Sequence, residues 1–166
     1  KVNDDGTVDT SVSTEVESGR LQELPVKFGV VAGFFDIRNE KLTTLKNCPH
    51  TCDGSFFAGG NKVTNLIGGP RTVGGGYSVL QNPLTSLEGL PERVVENLWL
   101  PWDQNLGYLR CCLVKDCKGV SIQDDNNWKA EAVMEIINRH VAKGPTALSA
   151  CATELIKAGY RGNAKL

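Results

Sequence analysis

Histidine is scarce in this chain: its 166 residues include two, His50 and His140. An imidazole-based nucleophile pair therefore has little to draw on, and no G-x-S-x-G, H-E-x-x-H or Walker-type loop supplies another route to catalysis. Long apolar runs are missing as well. None approaches the roughly 20 residues that span a bilayer, and the opening "KVNDDGTVDTSVSTEVESGR" lacks the apolar segment of a secretory leader. No initiator Met precedes Lys1, as at a processed end or an expression boundary. Nor does one sign of charge dominate. Lys and Arg total 18 and Asp and Glu 19, so nothing global draws the chain to nucleic acid or an anionic membrane. What remains is 40% hydrophobic and 22% charged, the balance of an ordinary soluble domain. The length suits one domain with a real core.

Six cysteines are present: Cys48, Cys52, Cys111, Cys112, Cys117 and Cys151. A chain of this size does not need disulfide staples and carries no export signal. "CPHTC" (Cys48, His50, Cys52) offers metal-ligand types that the 111–117 cluster could complete, but the spacing is not that of a zinc knuckle. Buried thiols are the expected reading, with no metal and no cofactor. A glycine-rich stretch, "GGPRTVGGGYS", is followed by neither a Lys-Ser/Thr pair nor a helix pattern, so glycines at fixed structural positions explain it better than phosphate binding.

The positive signal is a repeat. Leu or Val followed three residues later by Leu occurs at Leu21/Leu24, Leu42/Leu45, Val63/Leu66, Leu84/Leu87 and Leu106/Leu109, with steps of 21, 21, 21 and 22 residues. Other columns keep the register: Phe35, Phe56, Tyr77 and Leu98; Val31, Cys52, Val73 and Val94; Pro49, Pro70 and Pro91; Gly33, Gly54 and Gly75. So do Val16, Ile37, Ala58, Val79 and Leu100. Agreement of independent columns on one period marks a copied structural unit. "FFAGGNKVTNL" and "YSVLQNPLTSL" share one frame, apolar-x-apolar-x-x-Asn-x-apolar-x-x-Leu. Alternating apolar residues make a short strand with one face inward. Asn turns the chain and can bond free backbone groups of adjacent coils. One coil cannot bury its apolar face alone, so coils stack.

This pattern resembles the leucine-rich repeat, closest to the short bacterial type with an extended convex side. The fold expected is an α/β-type solenoid, a short leucine-rich-repeat array with a parallel strand per coil. It divides into an N-terminal arm over 1–12, a solenoid of about six coils over 13–125 and a helical cap over 126–166. The edge coils are degenerate. Gly19, Glu40 and Asp103 stand where the middle coils have Asn, the coil at "LWLPWDQNLGYL" carries one extra residue, and "VSIQDD" reads as the last strand, turning at Asp125. "RCCLVKDCKG" has no clear place, and its cysteines are expected where the last coil closes.

Beyond Asp125 the period changes to that of a helix. Val133, Ile136, Ile137, His140 and Val141 share one face, with Asn126 or Asn127 as N-cap and Gly144-Pro145 as terminator. Leu148, Cys151, Leu155 and Ile156 repeat the pattern up to Gly159. The two read as an antiparallel hairpin covering an otherwise open sheet edge. His140 reads as a packed core residue.

Catalysis being unsupported, binding leads, and the coil geometry locates the surface. Residues between inward strand positions face out: Glu15, Asp36, Phe57, Ser78, Trp99 and Ser121, flanked by Glu17, Arg38, Gly59, Leu80 and Pro101. Phe34, Phe57, Leu80 and Trp99 then form an apolar stripe, with Asp36 at its acidic end and Trp102 on the inserted segment beside it. These six residues are the expected partner-binding set; the alternative is that the N-terminal arm or a homodimer covers the stripe. "LTSLEGLPERV", "VGGGY", "LQELPVKFG" and "ELIKAGYRGNAKL" also resemble small repeat proteins of tailed bacteriophages. That resemblance implies a non-enzymatic factor in the host cytoplasm that binds and inhibits a host protein or defence complex. A virion component or self-associating assembly protein is the alternative. Nucleic acid is not expected, since only Lys157, Arg161 and Lys165 would favour it.

Overall fold

Twenty-one residues per turn leave room for two short extended segments and the corners between them, and each turn of the chain is divided that way. The structure, a computed structural model, describes residues 1–123 and 128–166, Trp128 through its backbone alone. In chain order the strands are β1 (Val8–Thr10), β2 (Thr14–Glu15), β3 (Phe28–Val31), β4 (Phe35–Asp36), β5 (Thr51–Cys52), β6 (Phe56–Phe57), β7 (Thr72–Val73), β8 (Tyr77–Ser78), β9 (Arg93–Val94), β10 (Asn97–Pro101) and β11 (Gly119–Gln123). β1, β3, β5, β7 and β9 form one parallel sheet; β2, β4, β6, β8, β10 and β11 form the other. The chain is a parallel β-solenoid closed by a C-terminal helix pair.

The expected columns are the observed registers. Phe35 pairs with Phe56, Phe56 with Tyr77 and Tyr77 with Leu98, while Leu98 pairs with Val120 because the last step carries the extra residue. Stacking places like residues in contact. The Phe35 and Phe56 rings lie 6.1 Å apart and those of Phe56 and Tyr77 5.2 Å apart, each pair 12° from parallel. The Leu-x-x-Leu pairs fill the rest of the interior, with Leu42, Leu45, Val63 and Leu66 fully buried. Glycine is required at the corner column, since a Cβ on Gly54 would sit 2.7 Å from the carbonyl carbon of Gly33 in the coil before.

Where one strand per coil was expected, there are two. The Val31, Cys52, Val73, Val94 column alternates with outward Val30, Thr51, Thr72 and Arg93, so the return path is itself paired. The N-terminal residues 1–12, expected as an arm, pair with the solenoid. β1 pairs with β3, and Lys1 and Val2 fold back on Asp9 and Val8.

The Asn column works as its chemistry suggests. Asn61 Oδ1 accepts from the Leu42 amide (3.0 Å), and its Nδ2 donates to the carbonyls of Ile37 (2.8 Å) and Ala58 (3.1 Å). Asn82 repeats this with Val63, Ala58 and Val79. Glu40 accepts from the amides of Ser18, Gly19, Arg20 and Leu21 and from the Ser18 hydroxyl. Burial raises the pKa of this carboxyl, but the donated hydrogen bonds outweigh it and hold the group down at about 2. Asp103 departs from expectation. It is exposed and accepts from the Asn105 amide, because the inserted residue lifts it off the interior. Buried Asn163, from the C-terminal tail, takes its place and donates to the carbonyls of Asp103 (3.1 Å) and Leu106 (2.9 Å).

The segment left without a place forms a 3₁₀ turn, Tyr108–Leu113, which buries Cys111 and Cys112 beside the helices. Helix α1 (Trp128–Val141) packs on β11 and buries Val133, Ile136, Ile137, His140 and Val141, the face read from the sequence. Its Asn138 closes the sheet edge in both directions, accepting from the Val120 amide (2.7 Å) and donating to the Val120 carbonyl (2.8 Å). Helix α2 (Leu148–Lys157) buries Cys151 and Leu155, whereas Ile156, expected on the same face, is 44% exposed. The turn expected at Asp125 and the cap at Asn126 or Asn127 lie outside the described residues. Among those described, no helix is long and apolar enough to cross a membrane.

Candidate binding face

The outer face of the six-stranded sheet carries the residues that coil geometry turns away from the core. Phe34 is 40% exposed and its ring centroid lies 6.5 Å from that of Phe57. The Arg38 guanidinium sits over the same Phe57 ring, 5.2 Å from its centroid. This trio is one contiguous patch of apolar ring and cation.

Asp36 does not present a free carboxylate, as its place in the outward row suggested. It is 5% exposed, gripped by Arg38 through Nε (2.9 Å) and a terminal nitrogen (2.5 Å). Its role is to orient Arg38 across Phe57, and the hydrogen bonds to Asp36 push the Arg38 pKa up further. The acidic end of the stripe is therefore Glu15 and Glu17. Repulsion from Glu17 raises the Glu15 pKa, as two carboxylates on one edge must.

Trp99 is half-buried, its indole lying across Gly76, where an added Cβ would clash with the ring edge. It covers the preceding coil more than it projects. Leu80 and Trp102 meet instead in a groove of about 490 Å³, lined also by Arg38, Gly59, Pro101 and three carboxamide residues, Asn39, Gln81 and Gln123. Trp102 stacks on Tyr108 at 5.9 Å and 7° from parallel. The Tyr108 hydroxyl fixes that pair by donating to the Pro101 carbonyl (2.6 Å) and accepting from the Asp103 amide (3.0 Å). The single stripe read from the sequence is thus two adjoining sites, Phe34–Phe57–Arg38 and the groove. The amide residues went unnoticed, although Asn39 and Gln81 were findable as the residues just ahead of the ladder column.

The N-terminal residues do not cover this face, because β1 belongs to the other sheet. The thiols belong to the interior. All six are buried and unbridged. Burial raises the Cys48 pKa far above its usual value and that of Cys52 to about 12, leaving both as neutral thiols, poor as nucleophiles or ligands. His50, between them in sequence, is exposed and bonded to the Thr51 hydroxyl (2.9 Å). No group of three His, Cys, Asp or Glu among the described residues is placed to hold a metal ion. His140 is packed as expected and bonds Glu154 (2.7 Å), whose pKa is lowered by His140 and then by Arg139. No family model, curated protein or solved structure matches the chain.

Proposed function

We propose that this chain is a non-enzymatic protein-binding module that presents the outer face of its six-stranded sheet to a partner. The observation that carries the reading is exposed Phe34 beside half-buried Phe57, with Arg38 held across the Phe57 ring. Aromatic and arginine side chains are the types that concentrate binding energy at interfaces, and a rigid sheet pre-orders them at little entropic cost. The leucine-rich and phage-like wording of the repeats makes a host protein, blocked stoichiometrically in the host cytoplasm, the partner class placed first.

The test is affinity capture from bacterial lysate with the native chain and with Phe34→Ala/Phe57→Ala. A partner retained at one-to-one stoichiometry by the native chain and lost by the variant is the expected result. Phe34 is exposed and Phe57 half-buried, with neither in the interior core, so the variant should stay folded and lose no more than about 2 kcal/mol. Equal capture by both chains, or self-association as the only interaction found, sinks the reading.

A further inference from the structure

The six thiols are not equivalent, and two of them meet across the cap. Cys112 lies in the 3₁₀ turn Tyr108–Leu113 and Cys151 on helix α2, and both are fully buried where that turn packs against that helix. The Cys151 thiol donates a hydrogen bond to the Cys112 sulfur, which makes the two sulfurs direct neighbours. Cys117 is engaged elsewhere, giving its hydrogen to the Gly119 carbonyl (3.3 Å).

The pair also differs from the other thiols in its chemistry. Burial pushes up the pKa of Cys48, Cys52, Cys111 and Cys117, so all four stay protonated. Cys112 is the exception. The hydrogen bond from Cys151 pulls its pKa down against the effect of burial, and the same bond pushes Cys151 up. One sulfur is thus suited to attack and the other to follow, as in a thiol–disulfide exchange.

Neither sulfur is reachable while α2 is docked, but that docking is held by little. The helix has ten residues and fully buries only Cys151 and Leu155. Its polar hold is Glu154, bonded to Arg139 and His140 of α1, with Glu154 and Arg139 partly exposed. So short an element with so small a buried face opens more readily than coils paired on both sides. Opening uncovers both thiols at once.

We propose that Cys112 and Cys151 are a modification site, a thiol pair that a low-molecular-weight disulfide oxidises to a bond locking α2 onto the 3₁₀ turn. With α2 open, the Cys112 thiolate attacks one sulfur of the reagent RSSR, the reagent's S–S bond breaks, and RS⁻ leaves. As α2 docks again, Cys151 loses its proton and its sulfur attacks Cys112 Sγ, expelling the second RS⁻. Two protein thiols are oxidised, one small disulfide is reduced, and the two protons end on the released RSH. The new bond closes a loop that holds β11 and α1, so it restrains the unfolded chain and stops the opening that admitted the reagent. Asn163 follows α2, and the tail that completes the coil of Leu106 is tied down with it.

The test treats the full chain with oxidised glutathione under nitrogen, then denatures it, alkylates it and maps the thiols by mass spectrometry. One bond, Cys112–Cys151, is expected, with the other four cysteines alkylated and no glutathione retained. Cys151→Ala should stop at a glutathione adduct on Cys112. The oxidised chain should melt roughly 5–10 °C above the reduced one, and dithiothreitol should erase the difference. Six alkylated thiols after the treatment, a bond through any other cysteine, or an oxidised chain that melts no higher than the reduced one overturns the proposal. The mapping uses the native sequence, so it decides the matter even where the variant fails to fold.

Discussion

The middle of the solenoid and its two ends face the same difficulty, backbone polar groups left over where the chain turns inward, and they meet it with different chemistry. In the middle coils both donors and acceptors are left over, and a carboxamide serves both: Asn61 and Asn82 each accept from one amide and donate to carbonyls. Towards the N-terminal end only amides converge, four of them from Ser18 to Leu21, and the residue there is a pure acceptor, Glu40. At the C-terminal end only the carbonyls of Asp103 and Leu106 remain, and Asn163 answers with its NH₂ alone. The residue that departs from the repeat is thus chosen by the polarity of what it must satisfy.

The sharpest way to break this comparison is Asn82→Ala. It strands the Val79 carbonyl and the Val63 amide in the interior, Ala58 keeping its bond from Asn61, and urea unfolding should show a loss of about 3 kcal/mol. Glu40→Gln comes next. It forces an NH₂ group towards a cluster of amide donors and should cost about 2 kcal/mol at pH 7. It also carries a signature in pH. The folded pKa, about 2, lies below the ordinary 4.5, so the stabilisation from Glu40 is complete above the ordinary value and fades as pH falls towards 2. Melting curves at pH 7, 4 and 3 should drop for the parent and lose the Glu40 share of that drop in the variant; parallel curves would show that the carboxylate charge is irrelevant. The smallest effect is expected for Asn163→Ala, about 1 kcal/mol, because it uncovers carbonyls only, which are left under-satisfied at less cost than an amide. Thermal unfolding showing Asn163→Ala as damaging as Asn82→Ala would erase the distinction between middle and end.

The interior strand columns were legible because a fixed period brings like residues into register: Phe35, Phe56 and Tyr77 stack as their spacing implied. The second sheet was half-legible. Its Val31–Cys52–Val73–Val94 column stood out, but β5, β7 and β9, at two residues each, are too short to carry an alternation of their own. On the binding face, outward direction was readable for Phe34 and Phe57 and misleading for Asp36, since burial there comes from the reach of Arg38 rather than from the strand. Asn163 was out of reach altogether. It bonds residues 57 and 60 positions away, and no periodic rule links a tail to an inserted loop.

The ladder also has an order in time. Glu40 completes the loop at 18–21, Asn61 completes the coil of Leu42, and Asn82 completes the coil of Val63, so each turn is finished by the one made after it. A chain leaving the ribosome N-terminus first therefore seals every coil as its successor emerges, rather than waiting for the whole array. Where the pattern breaks, Leu84 gives its amide to the Asn82 carbonyl of its own coil (2.8 Å). The coil of Leu106 has no ladder residue after it, and its carbonyl waits for Asn163, 57 residues further along the chain. Closure of the last coil thus waits until the helical cap has been made.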